Sequence, residues 1–282
     1  MNRSSAPPAP RRARANPLAG LGAALWLLVV AVPLYAMLVA TLRSRPEYAQ
    51  ANPLTPPTRP TVDNYVRAIE NGFLGFVLNT VLITAGVVVL VVFLSATVGY
   101  ALVRSRTRFS SGVFRLFLLG LAIPAQAVII PVLLIINQLG LNDTLLAVIL
   151  PTAAFALPVC VLILTGSMRD ISEELYEAMA LDGAGQLRAF VQLVLPLSRS
   201  GLATVAVYAA LQAWNGFLFP LILITSPEKR PITLGLYEFQ GQYGTDIPGL
   251  LSAVVLSAIP ILLLYLVARR SLVNGLMGVG GK

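Results

Sequence analysis

Ionisable side chains are scarce in this 282-residue chain, and one short segment gathers a third of its acids. Between Ser172 and Pro196 stand Glu173, Glu174, Glu177 and Asp182, four of the twelve Asp and Glu residues, with Asp170 just before them. Clustered carboxylates are the raw material of general acid–base catalysis or of a hard-cation site. The rest of the inventory supports neither. The chain has no histidine, a single cysteine (Cys160) inside an apolar stretch, and no GxxxxGK[ST] phosphate loop. No catalytic or metal-ligating set is visible, so an enzyme is not expected, and Cys160 reads as a small packing residue.

The segment carries the pattern of a shaped docking element instead. Leu175, Ala178 and Met179 fall at i, i+3, i+4, and Leu187, Phe190, Val191 and Val194 at i, i+3, i+4, i+7. These are two short amphipathic helices. The break falls at Asp182-Gly183, where glycine permits a positive φ, and Pro196 ends the second pattern. A side chain at Gly183 would strain the backbone and obstruct close approach of a partner.

The elements that must hold this knob lie in a membrane. Hydrophobic residues make up 57% of the chain and charged ones 11%, against roughly 25% charged in soluble domains. Six stretches contain no Asp, Glu, Lys or Arg: 15–42, 71–103, 116–142, 144–168, 200–227 and 247–268. Each reaches the ~20 residues that a bilayer-spanning helix needs. In lipid every backbone amide must be satisfied within its own segment, and the alternating pattern of a β-barrel is missing. The expectation is an all-α integral membrane protein with six transmembrane helices.

An even number of spans puts both termini on one side. That side collects Arg3, Arg11, Arg12, Arg14, Arg104, Arg106, Arg108, Arg115, Arg169, Arg188, Arg199, Arg269, Arg270 and Lys282, whereas the other holds Arg43, Arg45, Arg59, Arg67, Lys229 and Arg230. The positive-inside rule then places the termini and the 169–199 loop in the cytoplasm of a prokaryotic cell. It also accounts for the net charge of +8 without nucleic acid. Residues 1–16 read as a disordered cytoplasmic tail, 17–72 as the first span with its outer loop, 73–268 as a five-span core and 269–282 as a second cytoplasmic tail. The first apolar stretch is too long for a cleavable signal peptide and reads as an uncleaved anchor.

The spans carry neutral polar groups but no acids or bases, which argues against proton coupling and against a buried counter-charge for the solute. Tyr208, Gln212 and Asn215 fall at i, i+4, i+7 on one face, with Trp214 beside them. Amides and aromatic faces suit a neutral, hydroxyl-rich solute such as a sugar, and they equally suit hydrogen bonds between helices. Gln126 and Asn79 carry the same two readings. Prolines 33, 124, 131, 151, 158, 220 and 260 punctuate the spans and can kink them.

One family resembles this arrangement. Glu177-Ala178-Met179, three residues, Gly183, nine residues, then Leu193-Val194-Leu195-Pro196 resembles the EAA loop of ABC-importer permeases. That loop runs Glu-Ala-Ala, three residues, Gly, nine residues, Ile-x-Leu-Pro, so Met179 and Leu193 are mild departures. Leu181-Asp182-Gly183-Ala184 is similar to the form found in sugar importers. Trp214-Asn215-Gly216-Phe217, the 139–144 stretch Leu-Gly-Leu-Asn-Asp-Thr and the 241–246 stretch Gly-Gln-Tyr-Gly-Thr-Asp resemble segments of the smaller permease of maltose-type systems. Gly275-Leu276 begins like the family's closing motif, and Met277–Lys282 departs from it.

The resemblance spans about residues 64–276 and implies the type I ABC-importer permease fold. It implies half of a translocation pathway, completed by a second related permease. Two ABC ATPase subunits would carry ATP and magnesium, this chain binding no cofactor, and an extracytoplasmic sugar-binding protein would deliver the solute. Glu177, Ala178, Asp182, Gly183, Leu195 and Pro196 would couple to the ATPases, and Tyr208, Gln212, Trp214 and Asn215 would line the pathway. Two rival readings are a secondary transporter for a neutral solute and an ABC permease for a non-sugar substrate. The secondary transporter has no need of the acidic knob.

Overall fold

The computed structural model describes residues 17–280 apart from 106, 242 and 243, and leaves out the side chains of 238–241, 244, 264, 265 and 267–280. Helix α1 (Pro17–Thr41) is followed by the short α2 (Arg45–Gln50) and α3 (Asp63–Ala68). A wide turn at Ile69–Phe73, with Gly72 at φ +84°, leads into α4 (Leu74–Arg104). Then come α5 (Arg108–Gly120), α6 (Ile129–Gln138), α7 (Leu145–Arg169) and α8 (Glu173–Leu181). Next, α9 (Gln186–Ala189), a π turn (Phe190–Val194) and α10 (Leu195–Leu197) precede α11 (Arg199–Trp214). Beyond it lie α12 (Leu218–Leu223), α13 (Ile232–Gly235), the antiparallel two-residue strands β1 (Gln240–Gly241) and β2 (Gly244–Thr245), and α14 (Ile247–Gly280).

Helices Pro17–Thr41, Asp63–Arg104 and Leu145–Arg169 are each long and apolar enough to cross a bilayer alone. The other apolar stretches differ from the straight helices that their composition predicts. The 116–142 stretch breaks between α5 and the turn before α6, with a bend of 97°. Gly120 and Pro124 flank the break, and charge-free length is blind to both. The 200–227 stretch is broken after Trp214, where Asn215 caps α11, and resumes as the short α12; α11 therefore has 16 residues and rises about 24 Å. The last is apolar over Ile247–Leu263.

Helix α1 buries only Val39, Ala40 and Thr41 and otherwise exposes its apolar surface, as a lipid-facing helix does. The centre is α4 packed along α7, with α11 laid across both and in contact with α14. Ile83, Val87 and Val91 of α4 meet Ala153, Ala156, Cys160 and Leu164 of α7 and Val205, Ala209 and Ala213 of α11. Small residues dominate two of these three faces, which lets helix backbones approach where burial from water supplies little force.

The end of the bundle opposite the 169–199 loop is tied by polar groups. Arg43, 1% exposed, donates through Nη2 to Asn52 O at 2.8 Å and to Thr55 Oγ1 at 3.0 Å. The buried Asn64 amide donates to Thr41 O and Arg43 O, both at 2.7 Å. Asp246 pairs with Arg45, lies 3.6 Å from Arg67 Nε and accepts the Gly249 N–H, fastening the start of α14 to α2 and α3. Asp143, in the left-handed region at φ +54°, accepts the N–H of Thr225 and of Ser226, the Ser226 hydroxyl and the Lys229 ammonium. The Ser226 hydroxyl bond first, then the other donors, holds its carboxyl well below the usual range. Asn79 donates to Glu228 O at 2.7 Å and Arg230 O at 3.0 Å, so at this position a structural bond accounts for the polar group.

Candidate functional site

Helix α8 begins after Ser172, which sits in the extended region, and carries Glu173 and Glu174 in its first turn, where the helix dipole favours negative charge. One face is fastened to the bundle. Tyr176 is 6% exposed, with the Arg104 guanidinium 4.2 Å from its ring centroid. Arg104 Nη1 also donates to Glu173 Oε1 at 2.8 Å. The half-exposed ion pair contributes at most ~1 kcal/mol, so the buried ring supplies most of the hold. Burial pushes the Tyr176 phenol up.

The turn after α8 is a glycine C-cap with both of its characteristic bonds. Ala184 N–H reaches Met179 O at 2.9 Å and Gly183 N–H reaches Ala180 O at 3.0 Å, with Gly183 at φ +74°. A Cβ at Gly183 would have open space around it. The constraint here is backbone conformation rather than crowding within the chain. Gly185, extended, then starts α9.

The second half of the loop departs from the sequence reading in one detail. Pro196 lies inside α10 instead of ending the helix, which runs to Leu197 before a 77° bend into α11. Proline removes the N–H that would bond a carbonyl one turn back, and the π turn at Phe190–Val194 widens the backbone just before it, with Leu195 N–H bonding Phe190 O. Phe190 packs on Tyr100 with ring centroids 5.0 Å apart, and Tyr100 OH donates to Gln186 O at 3.2 Å. At the bend, a Cβ on Gly201 would lie 2.8 Å from Ser167, so glycine lets α11 approach α7 closely.

The first apolar stripe lies outward together with the glutamates rather than opposite them, and the second is divided: Leu187 and Val191 are exposed, while Phe190 packs on Tyr100 and Val194 is buried. Leu175 and Ala178 are exposed and Met179 partly so, while Leu181 is 90% and Leu187 76% exposed, with Val191 also out. Glu177, Asp182, Gly183 and Pro196 share this exposed surface, and Leu195 is half-buried behind it. The anchor that sequence reading missed is Tyr176, between two glutamates. Its only local signal is an aromatic ring on an otherwise acidic turn, and its partner Arg104 is remote in sequence.

On α11, Tyr208 is half-buried against the core, and Gln212 and Asn215 are exposed. Asn215 donates to Leu211 O of its own helix at 2.9 Å. Among the described residues, no hydrogen bond from Gln212 or Asn215 reaches another helix of the chain. Trp214 points elsewhere, donating through Nε1 to Ser257 O of α14 at 3.3 Å and lining an apolar recess with Val81, Thr84 and Pro260. The Trp214 bond thus links α11 to α14. Gln126 is exposed at the bend between α5 and α6. The 241–246 stretch lies partly outside the described residues, as do residues 1–16 and the side chains of 269–282. No group of three or more His, Cys, Asp or Glu is placed to hold a metal among the described residues.

The structure is thus a bundle of apolar helices with an exposed helical loop at one end. Residues 92–275, which contain both the knob and α11, match the family described as binding-protein-dependent transport system inner membrane component, and the chain belongs to that family. The diacetylchitobiose uptake system permease protein NgcG of Streptomyces coelicolor is 33% identical over 249 residues, covering 87% of this chain and 82% of NgcG. The glucose import system permease protein GlcU of Saccharolobus solfataricus is 29% identical over 263 residues, covering 91% and 90%. The fold matches that of a chain from a bacterial ABC transporter involved in the import of the acidic polysaccharide alginate. Its TM-score is 0.80 at 21% identity, covering 93% of this chain and 99% of that one. The protein is thus a multi-pass, all-α membrane permease with the ABC-importer fold.

Proposed function

We propose that this chain is one permease subunit of an ATP-driven sugar importer, with six spans and both termini in the cytoplasm. It forms half of the pathway beside a second, related permease. The 172–196 loop docks on one of two ABC ATPase subunits, which carry the ATP and magnesium, and an extracytoplasmic binding protein presents the sugar. The exposed apolar side chains of Leu175, Leu181, Leu187 and Val191, on a frame fixed by Tyr176 and the Gly183 cap, carry this reading. Such a patch outside the lipid is a surface made to be covered. The named sugars of NgcG and GlcU, together with the charge-free spans, support a neutral carbohydrate over other solutes.

One labelling experiment tests orientation and docking together. In a Cys160→Ser background, Leu181→Cys is expected to resist an impermeant thiol reagent in intact cells and to react in inside-out vesicles. Adding the ATPase subunits should protect it. Labelling from outside the cell overturns the topology, and equal labelling with and without ATPase overturns the docking role.

A further inference from the structure

A cavity of about 590 Å³ opens beside the root of the 172–196 loop, between the end of α4, the first turns of α5 and the start of α8. Its wall combines Ser105, Ser110, Arg115, Arg169, Glu173 and Tyr176 with apolar side chains from α4 and α5. Its charge is unbalanced. Glu173 is met by Arg104 at 2.8 Å, but Arg115 and Arg169 form no ion pair among the described residues. The Arg169 guanidinium lies over the Phe114 ring, 5.4 Å from its centroid, which leaves its donors free for an anion. Tyr176, 6% exposed, forms part of the wall, and its enclosed hydroxyl has no hydrogen-bond partner. The N-terminus of the 13-residue α5 adds the positive end of a helix dipole.

Two arginines with free donors beside a helix N-terminus make a receptor for a phosphate group. The position narrows its source. Arg115 and Arg169 are the charges bordering the apolar stretches 116–142 and 144–168, which sets the cavity at headgroup depth. Its apolar wall suits the glycerol and acyl part of a lipid. We propose that this cavity binds a phosphate-bearing anion, with an anionic phospholipid headgroup as its source, and that the bound group braces the root of the coupling loop. The choice of leaflet and the bracing of the coupling loop rest on the function proposed above, whereas lipid binding is read here without transport, so the two readings fail separately.

The test is native mass spectrometry of the full chain in detergent, titrated with dioleoylphosphatidylglycerol or dioleoylphosphatidylcholine. One phosphatidylglycerol is expected to be retained in preference to phosphatidylcholine. Arg115→Gln and Arg169→Gln should each weaken its retention by roughly tenfold, the value of one charge-assisted hydrogen bond. Arg169→Lys should keep part of it. Arg188→Gln, on the same loop but outside the cavity, should leave it unchanged, and an unaltered thermal midpoint in each variant shows that folding is intact. Competition by millimolar inorganic phosphate would reassign the site to a soluble anion and overturn the lipid source. Equal loss in Arg188→Gln or unchanged binding in the two cavity variants would overturn the site itself, and displacement of the lipid by added ATPase subunits would overturn its bracing role.

Discussion

The two ends of the bundle treat their polar and apolar groups in opposite ways. At the Arg43–Asp246 end, several charges and amides are met inside the chain: Asp143 by four donors, Asp246 by Arg45 and Gly249, and Asn64 by two carbonyls. At the loop end, Leu181 and Leu187 stand in the open, Arg115 and Arg169 lack carboxylates, and the Tyr176 hydroxyl has no partner. One end is finished by its own residues, and the other is built to be finished by something else. Substitutions should separate the two. Changes at the finished end lower the amount of folded protein, and changes at the open end lower function at constant amount.

The largest effect is expected at Gly183. Its φ of +74° costs a residue with a Cβ on the order of 1–2 kcal/mol, more for a β-branched one. That is about a tenfold loss wherever cap geometry sets docking. Gly183→Val should leave the amount of chain in the membrane unchanged while uptake and ATPase co-purification fall by about that factor. Because nothing lies within 4 Å of the missing Cβ, Gly183→Asn, which tolerates the left-handed region, should recover most of the activity. Equal losses in both would mean that the partner, not the backbone, excludes a side chain. Normal uptake by the valine variant would remove the loop from coupling.

This contrast also marks what the sequence made legible. The helix pair, its break and the left-handed glycine are local, and periodicity with glycine chemistry reads them directly. The six apolar stretches were equally visible, since lipid demands length. The 97° bend after Gly120 and the early end of α11 were not. A charge-free run is the same string whether the helix continues or turns back, provided that other helices cover the exposed backbone. Tyr176 on Arg104, and Asp143 on residues 225–229, are contacts between segments far apart in sequence, so no window along the chain contains both halves.

A middle-sized effect is expected at the finished end. Asp246 is nearly covered, its carboxylate held between Arg45 and Arg67. Asp246→Asn keeps the shape and leaves both guanidinium groups without a carboxylate, costing on the order of 1 kcal/mol because Arg45 is largely exposed. The expected outcome is less folded chain and a lower thermal midpoint, with uptake per folded molecule unchanged. Burial alone would raise the Asp246 pKa, but the Arg45 hydrogen bond, the Gly249 N–H and the two arginine charges outweigh it and hold it low. A depressed carboxylate pKa gives stability that is complete above the ordinary value of about 3.9 and is lost as pH falls through the folded one. The gap between wild type and Asp246→Asn should therefore be flat near neutrality and close only in acid. A gap that closes near neutral pH would mean that another group is responsible.

The smallest effect is expected at Asn215, which lies between the two ends and decides whether α11 belongs with the finished or the open surfaces. Its amide is exposed and bonds only its own helix, at Leu211 O, and Gln212 one turn earlier is exposed as well. Trp214 is different, already bonded to α14. If Asn215 and Gln212 face the solute, each offers a donor and an acceptor to hydroxyls that are both. Asn215→Leu keeps approximate size and removes the polar group. Losing one neutral hydrogen bond costs roughly 0.5–1.5 kcal/mol, a several-fold fall in uptake per assembled complex if it acts at the rate-limiting step. If the same amide instead bonds the second permease, the change reduces the yield of complex and spares uptake per complex. Measuring both in one preparation separates the outcomes. A lower yield with unchanged uptake per complex would move this face of α11 from the pathway to the interface between the two permeases.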